Sequence, residues 1–133
     1  MRRLTTMTRR PGLLTMTSRS ESVTVRDLIR AIQREIRDAD LQPDRGAELL
    51  TKLTALLGNV ADEQREADAA YAVVLLRHLD SEEAASRAKI RAETTPEYAR
   101  KREARDVKEL AIELVRSLKQ YLRTKGDEMR LTR

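Results

Sequence analysis

Small and apolar residues recur along the middle of the chain at alternating steps of three and four. One series comprises Leu50, Leu53, Leu57, Val60, Gln64, Ala67, Tyr71, Val74, His78, Ser81, Ala85, Ala88 and Ala92. A second series comprises Ala104, Val107, Ala111, Leu114, Leu118 and Tyr121. Only a helix places residues with this spacing on one face. The pattern therefore predicts two long helices, each with an apolar seam.

A shorter amphipathic helix is predicted before the first seam, from Thr24 to about Asp40. Thr24 suits the N-cap, and Asp27 follows three residues later, where a carboxylate can accept from the free amides of the first turn. The apolar stripe of this helix contains Val25, Leu28, Ile29, Ile32 and Ile36. An apolar stripe of this kind is typical of a helix that packs on a larger body. We expect it to lie against the long helices or against another subunit.

Two breaks bound the long helices, and a third position is ambiguous. Pro43 suits the first turn of the second helix, which begins after Leu41-Gln42. Residues 93–97 form the clearest turn, with Thr95 as the N-cap of a last helix over 96–130. This short loop predicts antiparallel neighbours. Gly58-Asn59 could split the second helix, but the seam keeps its phase across the pair, which favours a continuous helix, with or without a kink.

The predicted fold is all-α: a short N-terminal helix and a long antiparallel helical hairpin of coiled-coil type, in one domain over residues 22–133. The last helix carries further apolar residues beside its seam, at Leu110, Val115, Leu122 and Met129. One partner helix would not cover this wide face, so the first helix or a neighbouring subunit should cover the rest. We expect a homo-oligomer. The core or oligomer seam is assigned to Leu50, Leu53, Leu57, Val60, Tyr71, Val74, Val107, Leu114, Leu118 and Tyr121.

Composition supports helices and argues against an enzyme. Charged residues make up 37% of the 133 residues and aromatic residues 2%, which is typical of long helices rather than of a thick core. The chain has no Cys and one His, so it offers no thiol nucleophile and no Cys or His metal cluster. It contains none of the common phosphate-loop, dinucleotide, zinc-protease or serine-hydrolase motifs. We therefore expect no catalysis, cofactor, metal or small-molecule substrate, and no membrane span.

Polar residues in and beside the first seam have a structural interpretation. Gln64 and His78 occupy seam positions, where polar residues commonly fix helix register. An acidic cluster comprises Asp62, Glu63, Glu66 and Asp68. Paired carboxylates can serve acid–base or metal chemistry. Because these four mostly point away from the seam, we expect a solvated face or a contact with basic residues of a partner.

Charge is distributed unevenly along the chain. The formal net charge is +5. Residues 1–20 contain five Arg and no acid, residues 21–99 are net acidic, and residues 100–133 are net basic. Residues 1–21 lack periodicity and predict a disordered basic tail. This tail either contacts phosphate or precedes a natural start at Met7 or Met16.

Basic residues cluster on both sides of the predicted hairpin turn. A slender arm rich in Arg and Lys can neutralise phosphates without reading bases, and a tyrosine beside it can stack on a base. The alternative is a solvated face with local ion pairs, such as those of Glu103. The candidate nucleic-acid-binding residues are Arg87, Lys89, Arg91, Tyr98, Arg100, Lys101, Arg102, Arg105 and Lys108.

The second half of the chain, about residues 60–133, resembles the T4-type recombination mediators of tailed phages. The likeness is one of layout: a short first helix, a hairpin with a basic turn region, and a last helix that ends in the basic and apolar residues 128–133. The chain lacks the aromatic residues common in that family. The resemblance implies an oligomer that binds single-stranded DNA and assists a recombinase in the bacterial cytoplasm.

Two other functions agree with the same helices. A phage virion component, scaffold or adaptor would assemble through its helices without binding DNA. A regulator of another protein would use the wide apolar face of the last helix. Steep salt dependence of DNA binding is expected only for the first function.

Overall fold

All regular structure in the described part of the chain is helical. A computed structural model of the protein describes residues 23–81 and 84–131. Its helices are α1 (Val25–Asp38), α2 (Pro43–Ser81), α3 (Ala85–Ala92) and α4 (Pro96–Leu131). The predicted all-α class is confirmed. The predicted basic tail at 1–21 lies outside the described residues.

Helix α1 begins at the predicted cap. The Thr24 hydroxyl accepts a hydrogen bond from the Asp27 amide at 3.1 Å, and the Asp27 carboxylate accepts one from the Thr24 amide at 3.3 Å. Hydrogen bonding of the Asp27 carboxylate to the Thr24 side chain, and then to the Thr24 backbone amide, holds the pKa of Asp27 below its usual range. Ile29 and Ile32 are buried, whereas Leu28 is exposed. The apolar side of α1 thus packs against α2 and α4 of the same chain.

Helix α2 starts at Pro43 and continues through Gly58-Asn59 without interruption to Ser81. Its first half carries the core with α4 and α1. Fully buried residues there include Leu49, Leu53 and Val60, together with Ile29 of α1 and Leu118 of α4. The preference for a continuous helix at Gly58-Asn59 agrees with this structure.

Gly58 offers a direct test of that continuity. A Cβ added at Gly58 would meet nothing within 4 Å, so Gly58→Ala is expected to raise the free energy of unfolding by about 0.5–1 kcal/mol through helix propensity alone. A Cβ at Gly46 would lie 3.2 Å from Tyr121 Cε2. Gly46→Ala should therefore stabilise less than Gly58→Ala, or destabilise. Urea unfolding measures both, and a destabilising Gly58→Ala would contradict a continuous α2.

The chain reverses between Ser81 and Ala85, not at 93–97 as the sequence predicted. Helix α3 packs back on the end of α2, and Ala92 joins Tyr71 and Val74 in one buried cluster. Helix α2 ends at Ser81, whose hydroxyl donates a hydrogen bond to the carbonyl of His78 at 3.2 Å. The single predicted helix from Leu50 to Ala92 is therefore two helices.

Residues 93–95 interrupt the returning arm without reversing it. The amides of Thr94 and Thr95 donate to the carbonyls of Arg91 and Ala92, each at 3.2 Å, in a tight turn. The Thr95 hydroxyl accepts from the Tyr98 amide at 3.4 Å, which confirms the predicted cap. Helix α4 then runs antiparallel to α2 along its length. Pro96 has no backbone N–H, so it cannot continue a preceding helix but suits the first turn of a new one. Such a break does not require the chain to change direction.

The predicted seam is largely buried, with differences at its ends. Leu53, Val60, Tyr71, Val74, Val107, Leu114 and Leu118 are buried, whereas Leu50, Leu57 and Tyr121 are half-buried. Leu49, which the sequence analysis left out, is fully buried. Tyr121 lies at the edge of the core and donates its hydroxyl hydrogen to the carbonyl of Leu41. Ser81 and Ala85 are exposed because the chain turns there.

Candidate nucleic-acid interface

The structure separates the predicted nucleic-acid-binding residues into two groups. Arg87, Lys89 and Arg91 lie on α3, beside the true reversal. Tyr98, Arg100, Lys101, Arg102, Arg105 and Lys108 lie on the first third of α4, opposite the middle of α2. The predicted arrangement of all nine around one slender tip is therefore wrong, because the tip is at 81–85.

Tyr98 takes part in packing. Its ring lies 5.3 Å from that of Tyr71, with the ring planes inclined at 56°. The Arg102 guanidinium lies 5.9 Å from the Tyr98 ring centre, and Lys101 Nζ lies 4.6 Å from the Tyr71 ring centre. These are cation–π distances. Tyr98 thus joins α4 to α2 rather than presenting a free ring to a base.

Arg100 is held by the acidic cluster of α2. Its Nε and Nη2 atoms each donate to a Glu63 carboxylate oxygen at 2.9 Å, and Nη2 lies 3.5 Å from Glu66 Oε2. A bidentate pair of this kind orients both side chains. Two of the acids that were expected to be solvated therefore bind the returning arm. Arg100 is therefore not among the cations that are available to a ligand.

The Arg100–Glu63 pair should affect how the free energy of unfolding depends on pH in the acid range. The hydrogen bonds from Arg100 lower the pKa of Glu63, so the pair stabilises the fold above the unfolded-state pKa of Glu63, and this contribution is lost as the pH falls through the lower folded-state value. Glu63→Gln should flatten the fall in stability below about pH 4.5. Because both side chains are partly exposed, the loss at pH 7 should be about 0.5 kcal/mol. Urea unfolding between pH 3 and 7 measures it, with Glu109→Gln as the control; identical curves would contradict the pair.

One side of α4 carries a row of cations that is interrupted once, at Ile112. At about 100° per residue they fall within a sector of about 80°, and no Asp or Glu of α4 falls within it. The row is about 33 Å long at 1.5 Å per residue. All but the first member are exposed. We call this row the basic stripe: Lys101, Arg105, Lys108, Arg116, Lys119 and Arg123.

The basic stripe faces away from α1. Glu103 accepts from Arg30 at 3.2 Å and lies 3.6 Å from Arg26, so the Glu103 side of α4 meets α1. Glu103 is about 180° from the middle of the stripe on the helix. Helix α1 therefore covers one side of the hairpin and does not cover the stripe, of which only Lys101 packs on a side chain of α2, at Tyr71. The predicted ion pairing of Glu103 along its own helix is replaced by these contacts with α1.

The stripe has a cost to folding that a solvated helix face normally avoids. Consecutive members are three or four residues apart, except across Ile112, and like charges at this spacing repel by a few tenths of a kcal/mol per pair. The charge of Arg116 is partly offset by a contact with Glu113, which lies about 60° outside the sector. A stabilising surface helix usually interleaves the two signs. An anionic group bound along the stripe would relieve this repulsion.

Sequence analysis missed half of the stripe. Arg116, Lys119 and Arg123 lie far from the predicted turn, and the residues were grouped by closeness along the chain. The signal was present as angular position: these three continue the steps of three and four that begin at Lys101 and pass through Ile112. A helical projection of residues 96–131 would have found it.

Other site types find no support among residues 23–81 and 84–131. No group of three or more His, Cys, Asp or Glu side chains there is placed to hold a metal ion. None of the helices in these ranges is long and apolar enough to cross a membrane. No family model, curated protein or solved structure matches this chain.

Proposed function

We propose that the protein is a non-enzymatic accessory that binds single-stranded DNA by its phosphates, along the basic stripe of α4. The observation that carries this proposal is the row of six cations with no acid in its sector. Lys and Arg side chains bind phosphate and release counterions, which supplies affinity without sequence preference. The resemblance of the sequence to T4-type recombination mediators extends the proposal to assisting a recombinase.

The shape of the stripe favours a single strand over a duplex. The stripe follows a single helix for about 33 Å. One strand of B-DNA winds away from a straight rod after half a turn, about 17 Å. A flexible single strand can follow the whole stripe. The three tyrosines are engaged in packing or in a hydrogen bond within the chain, so phosphate contacts rather than base stacking would supply the affinity.

Salt dependence tests this proposal. The affinity for a fluorescent 20-nucleotide single strand should fall about 100-fold between 50 and 200 mM NaCl, as expected when about five phosphates are neutralised at a slope of −0.7 each. A duplex of the same length should bind more weakly at each salt concentration. Absence of binding at 50 mM NaCl, or an affinity independent of salt, would refute the proposal.

A structural or assembly role is the second candidate. It is favoured by large apolar side chains that no described residue covers: Val73, Leu76, Leu79 and Ile90. Exposed apolar side chains on neighbouring turns of one helix often mark a protein contact. A scaffold or adaptor would assemble through them and would be indifferent to DNA. The two roles use different helices and can be tested separately.

A further inference from the structure

One stretch in the distal half of α2, residues 69–76, is apolar on every side. Residues 69–76 read Ala-Ala-Tyr-Ala-Val-Val-Leu-Leu, eight apolar residues in succession. Tyr71 and Val74 are buried against the returning arm, but Leu76 is 60% exposed and Val73 is 56% exposed. Helix α1 lies at the opposite end, where it packs on the first half of α2. A helix that is apolar all round is normally buried all round.

The uncovered side of α2 carries a second seam. Ala69, Ala72, Leu76 and Leu79 follow one another at steps of three, four and three, all exposed. We call these four residues the outer seam. At about 100° per residue, Ala69 and Leu76 project opposite the buried Val74 side of α2. A heptad seam of this spacing is the surface by which helices pack in pairs.

We propose that two copies of the chain pack along the outer seam, antiparallel, about a two-fold axis level with Val74. The outer seam has small side chains at one end and large side chains at the other. In the antiparallel arrangement Ala72 of each copy faces Leu76 of the other, and Ala69 faces Leu79. Each large side chain then meets a small one, as close packing requires. A parallel pair would place alanine on alanine and leave gaps there.

Charge complementarity supports the same arrangement. Arg65 lies one turn before the seam and Asp80 follows directly after it, both on the outer side of α2. Arg65 contacts Asp62 on its own helix, and Asp80 has no ion pair with another described residue. In the antiparallel register, Arg65 of one copy stands within about one turn of Asp80 of the other, twice per dimer. In a parallel pair, Arg65 would face Arg65.

Sedimentation equilibrium of the full chain, between 1 and 200 μM, tests the dimer. We expect a monomer–dimer equilibrium, and Leu76→Asp should weaken it by about 100-fold because two carboxylates would enter the apolar contact. Ile90→Asp is the matched control, because Ile90 is 65% exposed but lies on α3. It should leave the dimer unchanged. A monomer throughout, or equal losses in both variants, would overturn the proposal; circular dichroism confirms that each variant is folded.

Cross-linking tests the orientation. The chain has no Cys, so single cysteines can be placed freely and joined with a short bis-maleimide. Val73→Cys lies close to the proposed axis and should cross-link to itself. In the antiparallel register the two copies of Ala69→Cys are about 15 Å apart along the helix axis. They should not cross-link. Efficient cross-linking of Ala69→Cys would show a parallel pair and would overturn the register.

Discussion

Leu49→Ala is expected to lower the free energy of unfolding by about 3 kcal/mol, and Leu50→Ala by about 1 kcal/mol. The two residues are neighbours of the same type on α2. Leu49 is 0% exposed and lies in the core with α1 and α4, whereas Leu50 packs at the edge of that core. Truncation at Leu49 leaves a cavity that the packed helices cannot close. Truncation at Leu50 opens a space that water can enter.

Urea unfolding followed by circular dichroism measures the difference, with the two variants and the parent chain in one buffer. The comparison isolates burial, because helix propensity changes by the same amount at both positions. Equal losses, or a larger loss at Leu50, would contradict the full burial of Leu49 at this point of the core.

The difference between prediction and structure at Leu49 and Leu50 has a physical origin. The segment over 49–57 contains five leucines, so two neighbouring rows of apolar residues satisfy a helical period. Periodicity alone cannot choose between them. The choice is made by α1, whose Ile29 and Ile32 pack on one side of the hairpin and draw Leu49 inwards. The capped start of α1 was predictable, but the side on which it docks was not.

The position of the reversal was hidden for a different reason. Thr94-Thr95-Pro96 is a strong local signal for a helix start, and the structure has a helix start there. A helix start does not specify the direction of the next helix. The true reversal has no glycine or proline: Ser81 donates its hydroxyl hydrogen to the His78 carbonyl at 3.2 Å at the end of α2, among acidic residues. Local sequence patterns therefore predicted the helix start at Pro96 correctly. They did not predict where the chain reverses its direction.

The candidate site was predicted in type but not in membership. Net positive charge in the last quarter of the chain was visible in the sequence. Which cations remain available depends on partners that are distant in the sequence, since Arg100 is bound by Glu63 of α2, 37 residues earlier. For the other cations of α4, the angular position of the side chain around the helix determines whether it belongs to the basic stripe.

Reversal of three stripe charges is expected to reduce the affinity for single-stranded DNA by at least about 100-fold at 100 mM NaCl. The variant Lys108→Glu/Lys119→Glu/Arg123→Glu replaces three exposed cations, none in a hydrogen bond or ion pair with a described residue. Each substitution removes one phosphate contact and adds a repulsive charge. The slope of affinity against salt should also become shallower, by about 0.7 for each lost contact.

The control for this experiment has the same net charge in another place. Arg34→Glu/Lys52→Glu/Arg77→Glu also lowers the formal net charge from +5 to −1, at exposed positions on α1 and α2. It should weaken binding by less than about tenfold, since it acts only through the overall field of the protein. Fluorescence anisotropy with one oligonucleotide compares the two triples. If both lose affinity equally, binding depends on net charge alone, and the arrangement of cations on α4 is not the site.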